Sequence, residues 1–144
     1  MTLRDYWNTN KGIDIDVYDE EIDTGVCFCL DYKPDLVFED DYEAVIYLLM
    51  GAEVTHIYGD YLVANFYKFF EDHKDLLKKY EKKYGMPMIG FDENDDENLV
   101  DRWVLAVEHI VAGNYSYDDY HTFVPLFKKF ENVKVKVKKN DTEH

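Results

Sequence analysis

Asp92, Asn94 and Asp96 stand at alternate positions in the run Asp92-Glu93-Asn94-Asp95-Asp96-Glu97. Oxygen ligands at the first, third and fifth positions are how an EF-hand calcium loop begins. The sixth position of that loop needs glycine for its turn, and here it is Glu97. The twelfth needs a bidentate glutamate, and here it is Trp103. The run is therefore expected to be an acidic surface loop. The histidines are His56, His73, His109, His121 and His144, and no two of them stand at the helical spacing of a zincin. Ser116 is the single serine and lacks the G-x-S-x-G setting of a nucleophile elbow. Neither a P-loop nor a dinucleotide glycine fingerprint occurs. With 31 carboxylates some pairs will meet in any fold, and nothing selects one pair for hydrolysis. The expectation is a protein that is not an enzyme, with no cofactor and no metal.

What remains is electrostatic. The chain has 144 residues, with 31 acidic against 16 basic side chains and a net charge of −15. The acid is concentrated in residues 1–60 and 92–119, while 68–83 and 128–139 are locally basic. A nucleic-acid binder has the opposite sign. An anionic membrane surface would repel this chain. A basic protein is the complementary partner. The expected contact residues are Asp19, Glu20, Glu21 and Asp23, then Glu39, Asp40 and Asp41, then Asp92, Glu93, Asp95, Asp96 and Glu97. Tyrosine and tryptophan are favoured interface anchors. The cluster Tyr115, Tyr117 and Tyr120 is expected to supply them, while most other tyrosines are expected at the boundary of the core, ring buried and hydroxyl wet. Cys27 and Cys29 are two apart and face the same way on a strand, which suits free, buried or half-buried thiols better than a disulfide. The first residues have no apolar signal core, and no run is long enough to span a membrane, so a cytoplasmic location is expected.

The elements that must position these residues follow from periodicity. A hydrophobic fraction of 47% and an aromatic fraction of 17% suffice for the core of a single domain. Thr2 with Asp5 predicts a capped first helix. Ile13, Ile15 and Val17 alternate with Asp14 and Asp16, and Val26, Phe28 and Leu30 repeat the pattern. A hairpin of strands 13–18 and 25–31 is predicted. Asp40 with Glu43 predicts the cap of a second helix carrying Ala44, Val45, Leu48 and Leu49. A third strand is predicted around residues 54–58. One long helix is predicted from Gly59-Asp60 to about Tyr84, on the spacing of Leu62, Phe66, Phe69, Phe70, Leu77 and Tyr80. Asn98 is expected to cap a further helix over Leu99, Trp103, Val107 and Ile110. A tyrosine-rich turn at 115–120 precedes a last helix with Phe123, Phe127 and Phe130. Val133, Val135 and Val137 close the chain on a strand expected beside the first, where Lys134, Lys136 or Lys138 would face Asp14 and Asp16. The fold class is α+β: an antiparallel sheet of three to four strands packed against three to four helices.

The opening, Thr2-Leu3-Arg4-Asp5-Tyr6 leading into Ile13-Asp14-Ile15-Asp16-Val17-Tyr18-Asp19, resembles small acidic phage and prophage proteins of Gram-positive bacteria over roughly the first thirty residues. Proteins of that kind include DNA-mimicking inhibitors of restriction and CRISPR nucleases. The resemblance implies an anti-defence inhibitor acting in the bacterial host cytoplasm, and it implies no site residues. The expected function is thus an acidic inhibitor that occupies the nucleic-acid-binding surface of a basic enzyme, binding no nucleic acid itself. Two alternatives stay open: an immunity protein neutralising a basic toxin, and a small enzyme with an unrecognised carboxylate or histidine site.

Overall fold

The computed structural model describes residues 1–87, 96–131 and 133–138. Its first helix, α1 (Leu3–Thr9), starts as its capping residues dictate. The Thr2 hydroxyl accepts from the Asp5 N–H, and the Asp5 carboxylate accepts from the Thr2 N–H. Leu3 and Trp7 are fully buried, and the Trp7 indole donates to the Leu30 carbonyl at 3.0 Å. That bond anchors the helix to the strand side of the fold.

Strands β1 (Ile15–Asp19) and β2 (Thr24–Phe28) form the predicted hairpin, with Ile15 opposite Phe28 and Val17 opposite Val26. Period-2 alternation sends Ile15, Val17 and Phe28 inward and Asp16 and Cys27 outward. A short β3 (Val37–Phe38) leads to α2 (Asp41–Leu49), whose N-cap Asp40 accepts from the Glu43 N–H. Residues 44–49 of α2 are all buried, as a helix apolar all round requires. β4 (Glu53–Ile57) and β5 (Leu62–Asn65) then pair antiparallel. β5 also runs parallel to β1, giving a four-stranded mixed sheet in the order β2-β1-β5-β4. Helices α3 (Phe66–Glu71), α4 (Lys74–Tyr84), α5 (Leu99–Val111) and α6 (Tyr117–Lys128) follow, with a 3-10 turn at Asp96–Asn98 before α5. α2 packs on α6, and α5 packs on both α3 and β2. Phe70, Trp103, Phe123 and Phe127 meet at their centre, with Trp103 and Phe127 edge to face at 6.3 Å.

The class is α+β as expected, but the sheet is mixed and not wholly antiparallel, because β5 runs parallel to β1, and six helices and not three to four occur among the described residues. Three local expectations are corrected. The long helix from residue 59 is instead a strand and two helices. Leu62, Val63 and Ala64 are all buried, and a short unbroken apolar run is compatible with either state until its neighbours choose. The closing strand shrinks to β6 (Lys136–Val137) and pairs parallel with β3, not with β1. Both sides of β1 are already taken by β2 and β5, so Asp14 and Asp16 face no lysine from this segment. The last helix starts at Tyr117, inside the tyrosine cluster, because Ser116 and Asp119 form a capping box there. α5 does begin directly after Asn98, as expected, although it is entered from the 3-10 turn and the Asn98 side chain makes no capping bond.

Candidate interaction face

The face of the sheet turned away from the helices is built by register. Gly25, Tyr18, Val63 and His56 are cross-strand neighbours on β2, β1, β5 and β4, so they form one row on one side. Asp16 and Cys27 make the next row. The β4–β5 connection adds its own aromatics. The Tyr58 N–H donates to the Tyr61 carbonyl at 2.9 Å, closing a hairpin whose tip is Gly59-Asp60. That closure brings the Tyr58 and Tyr61 rings into a stack at 4.9 Å. Tyr61 in turn meets Tyr18 edge to face at 6.4 Å, and His56 stacks on Tyr58 at 6.1 Å. Ile57, Tyr58 and Tyr61 are 60%, 47% and 41% exposed, so this aromatic ridge stands in water.

Carboxylates surround the ridge. The Tyr18 hydroxyl donates to the Asp23 carboxylate, and that bond pushes the Tyr18 pKa up, with Glu20 adding to the effect. Between Tyr18, Gly25, Cys27, Asp16 and Tyr61 lies an open concavity of about 490 Å³. Cys27 lines the concavity, and Cys27 and Cys29 are both exposed, with their sulfurs 3.3 Å apart, and not buried or half-buried as expected. They belong to the face that no helix covers. Desolvation, together with Cys29 and Asp16, pushes the Cys27 thiol up to about 12, so it is neutral at physiological pH.

The residues expected to contact a partner divide sharply. Glu20, Glu21 and Asp23 are exposed at the β1–β2 turn, beside the ridge. Asp19 is only 2% exposed and accepts backbone N–H groups from Glu21 at 2.9 Å and Phe66 at 3.1 Å. It is a structural residue, because the strand that carries it turns it inward. Asp40 caps α2. Glu39 is already neutralised by Lys138 at 2.8 Å and Lys33 at 3.7 Å, and the Lys138 ammonium holds its carboxyl below the usual range. Asp41 is buried and lies 3.2 Å from His121 Nδ1. Asp96 pairs with Lys78 at 3.1 Å, and Glu97 is exposed. Asp92, Glu93 and Asp95 lie outside the described residues.

The expected tyrosine anchors are also corrected. Tyr120 is buried, edge to face with Tyr42 at 5.0 Å. Tyr115 is half-buried and donates to the Pro87 carbonyl. Helix α6 turns Tyr120 into the core, and Tyr115, just before that helix, packs against the core edge to face with Phe123. Only Tyr117, 56% exposed, faces solvent, stacked on His121. The exposed aromatic ridge comes instead from Tyr18, Tyr58 and Tyr61, which the sequence places at the core boundary. The signal that finds them is the Gly-Asp turn between Tyr58 and Tyr61, once residues 62–65 are read as a strand.

Among the described residues no group of three or more His, Cys, Asp or Glu side chains could hold a metal ion. No described helix is long and apolar enough to cross a membrane. Comparison with family models, with curated proteins and with solved structures finds no match to this chain. The chemistry of the face is therefore the basis for a functional reading.

Proposed function

We propose that this protein is an acidic inhibitor that docks on the basic nucleic-acid-binding surface of an enzyme and keeps nucleic acid out, without catalysis of its own. The anti-restriction or anti-CRISPR setting, in a bacterial host cytoplasm, is the context in which such an activity is useful. One observation carries the reading. Asp16, Glu20, Asp23 and Asp60 flank the half-buried Tyr18 and the exposed Tyr58 and Tyr61, and none of these carboxylates is ion-paired among the described residues.

The physics of mimicry is spacing and sign. Outward carboxylates two apart on a strand lie about 6.6–6.8 Å from one another. Phosphates recur about every 3.4 Å of axis along each DNA strand. Here Asp16 stands on β1 while Glu20, Asp23 and Asp60 stand in the turns at its edge, so the carboxylates that would meet lysines and arginines come from the strand and the turns together. Aromatic side chains add contact area at low entropic cost.

Direct competition tests the reading. The protein is titrated into complexes of fluorescent DNA with a panel of restriction and RNA-guided nucleases. The expected result is displacement of DNA from at least one enzyme, weakening as salt rises. A ternary complex in which DNA affinity is unchanged overturns mimicry and points to an immunity-type or allosteric inhibitor.

A further inference from the structure

We propose that the concavity on the outer face of β1 and β2 is an arginine pocket, receiving one guanidinium side chain projected by the basic partner. The inference rests on the reading of this protein as a binder of basic proteins, and it names the group that this face recognises. The volume of about 490 Å³ lies within the range of small-ligand sites. Tyr18 and Tyr61 wall it, edge to face at 6.4 Å, and offer aromatic surface for a guanidinium to stack on. Asp16 supplies a carboxylate for paired N–H donors. Glu20 and Asp23 lie close enough to Tyr18 to act on its hydroxyl, and they deepen the negative potential at the mouth. Among the described residues no lysine or arginine lines the concavity. Val17 and Val26 line it only between these outward residues, because strand alternation turns their side chains to the core face. Lysine fits this site less well, because its ammonium is a compact, strongly hydrated charge that neither stacks nor binds a carboxylate bidentately.

Gly25 gives the pocket its depth. It stands opposite Tyr18 in the register, and its missing side chain leaves the space open. The fold does not demand glycine there. Its backbone is not left-handed, and an added Cβ would come no nearer than 3.8 Å to Val17 O and 4.0 Å to the Tyr18 ring. Glycine inside a strand weakens it and often marks a site of close approach. A valine at this position would suit the strand and occupy the floor of the concavity beside Tyr18.

The test is an NMR titration of the full chain with three capped tripeptides, Gly-Arg-Gly, Gly-Lys-Gly and Gly-citrulline-Gly, against wild type, Gly25→Val and Asp16→Asn. The arginine peptide is expected to shift the signals of Asp16, Tyr18, Gly25 and Tyr61 in a saturable way. The citrulline peptide, neutral and of the same shape, should leave them in place. Lysine should bind about tenfold more weakly or worse. Gly25→Val should keep the fold, judged by an unchanged spectrum elsewhere and a melting temperature no lower than wild type, and lose the arginine response. Asp16→Asn should weaken it about tenfold. Equal response to lysine and arginine, shifts scattered over the acidic surface, no shift up to the solubility limit, or full binding by Gly25→Val would each overturn the pocket. The same variants separate this inference from the one it rests on. If Gly25→Val displaces DNA from a nuclease as well as wild type, the pocket fails and the inhibitor reading stands. Localised arginine binding by a protein that displaces no nucleic acid leaves the pocket standing without that function.

Discussion

Asp19 ties the end of β1 to the start of α3 through its bonds to the Glu21 and Phe66 N–H groups. Burial is the largest influence on its carboxyl and raises its pKa above 3.8, although the N–H donors pull the other way. An acid with a raised folded pKa contributes stability while it is protonated. That contribution is complete below 3.8 and is lost as pH rises through the folded value. Side-chain carboxyl NMR should therefore show a midpoint above 3.8 for Asp19; a midpoint at or below it contradicts this account. A second buried charge sits where Arg102, fully buried, donates to Glu81 from Nε at 3.1 Å and Nη2 at 2.6 Å. The Trp103 indole donates to the same carboxylate at 3.1 Å. Glu81→Ala should cost about 3–5 kcal/mol in urea unfolding, because it strips a carboxylate from a buried guanidinium. The double variant Glu81→Leu with Arg102→Met should recover much of that loss. Recovery of nothing would mean that packing, and not the lost ion pair, sets the cost.

Among the elements, α6 depends most visibly on its first turn. The Ser116 hydroxyl accepts the Asp119 N–H, and the Asp119 carboxylate accepts the Ser116 N–H at 3.0 Å. Phe123 and Phe127 on this helix complete the aromatic core, so fraying at its start loosens packing as well as backbone. Ser116→Ala should lower stability by about 0.5–2 kcal/mol, measured by thermal melting. Ser116→Asp should restore most of it, since aspartate caps as well as serine. The hairpin of β4 and β5 is a different kind of element. Its tip holds Tyr58 and Tyr61 in water, and the β1–β5 pairing sets them beside Tyr18. The candidate face is thus a product of strand order.

For the whole molecule, a net charge of −15 governs approach to any basic partner. Reversing Glu20, Glu21 and Asp23 to lysine should slow association sharply at low salt and much less near physiological ionic strength, where the Debye length is about 8 Å. Asp19 is left out of that set because its burial makes it structural. Tyr61→Ala should instead speed dissociation with little effect on the association rate. Surface plasmon resonance against a captured basic partner separates the two effects. If the charge reversals act only on dissociation, long-range steering is not how this surface works.

The sequence by itself determined what depends on a few neighbouring residues. The Thr2–Asp5 box and the Asp40 cap start α1 and α2 where local hydrogen bonds can form. The alternation through Ile15, Val17 and Phe28 sets the β1–β2 hairpin. The sign of the net charge follows from composition alone. Tertiary structure decided the rest. Parallel pairing of β1 with β5, and of β3 with β6, joins segments far apart in the chain and leaves no local mark. The apolar run Leu62-Val63-Ala64 fits a helix or a strand equally until β1 and β4 offer it hydrogen bonds on both sides. Exposure was decided last, because it depends on which faces other elements cover. Coverage places Asp19, Asp41 and Tyr120 inside, while it leaves Tyr58, Tyr61 and the Cys27–Cys29 pair open to water.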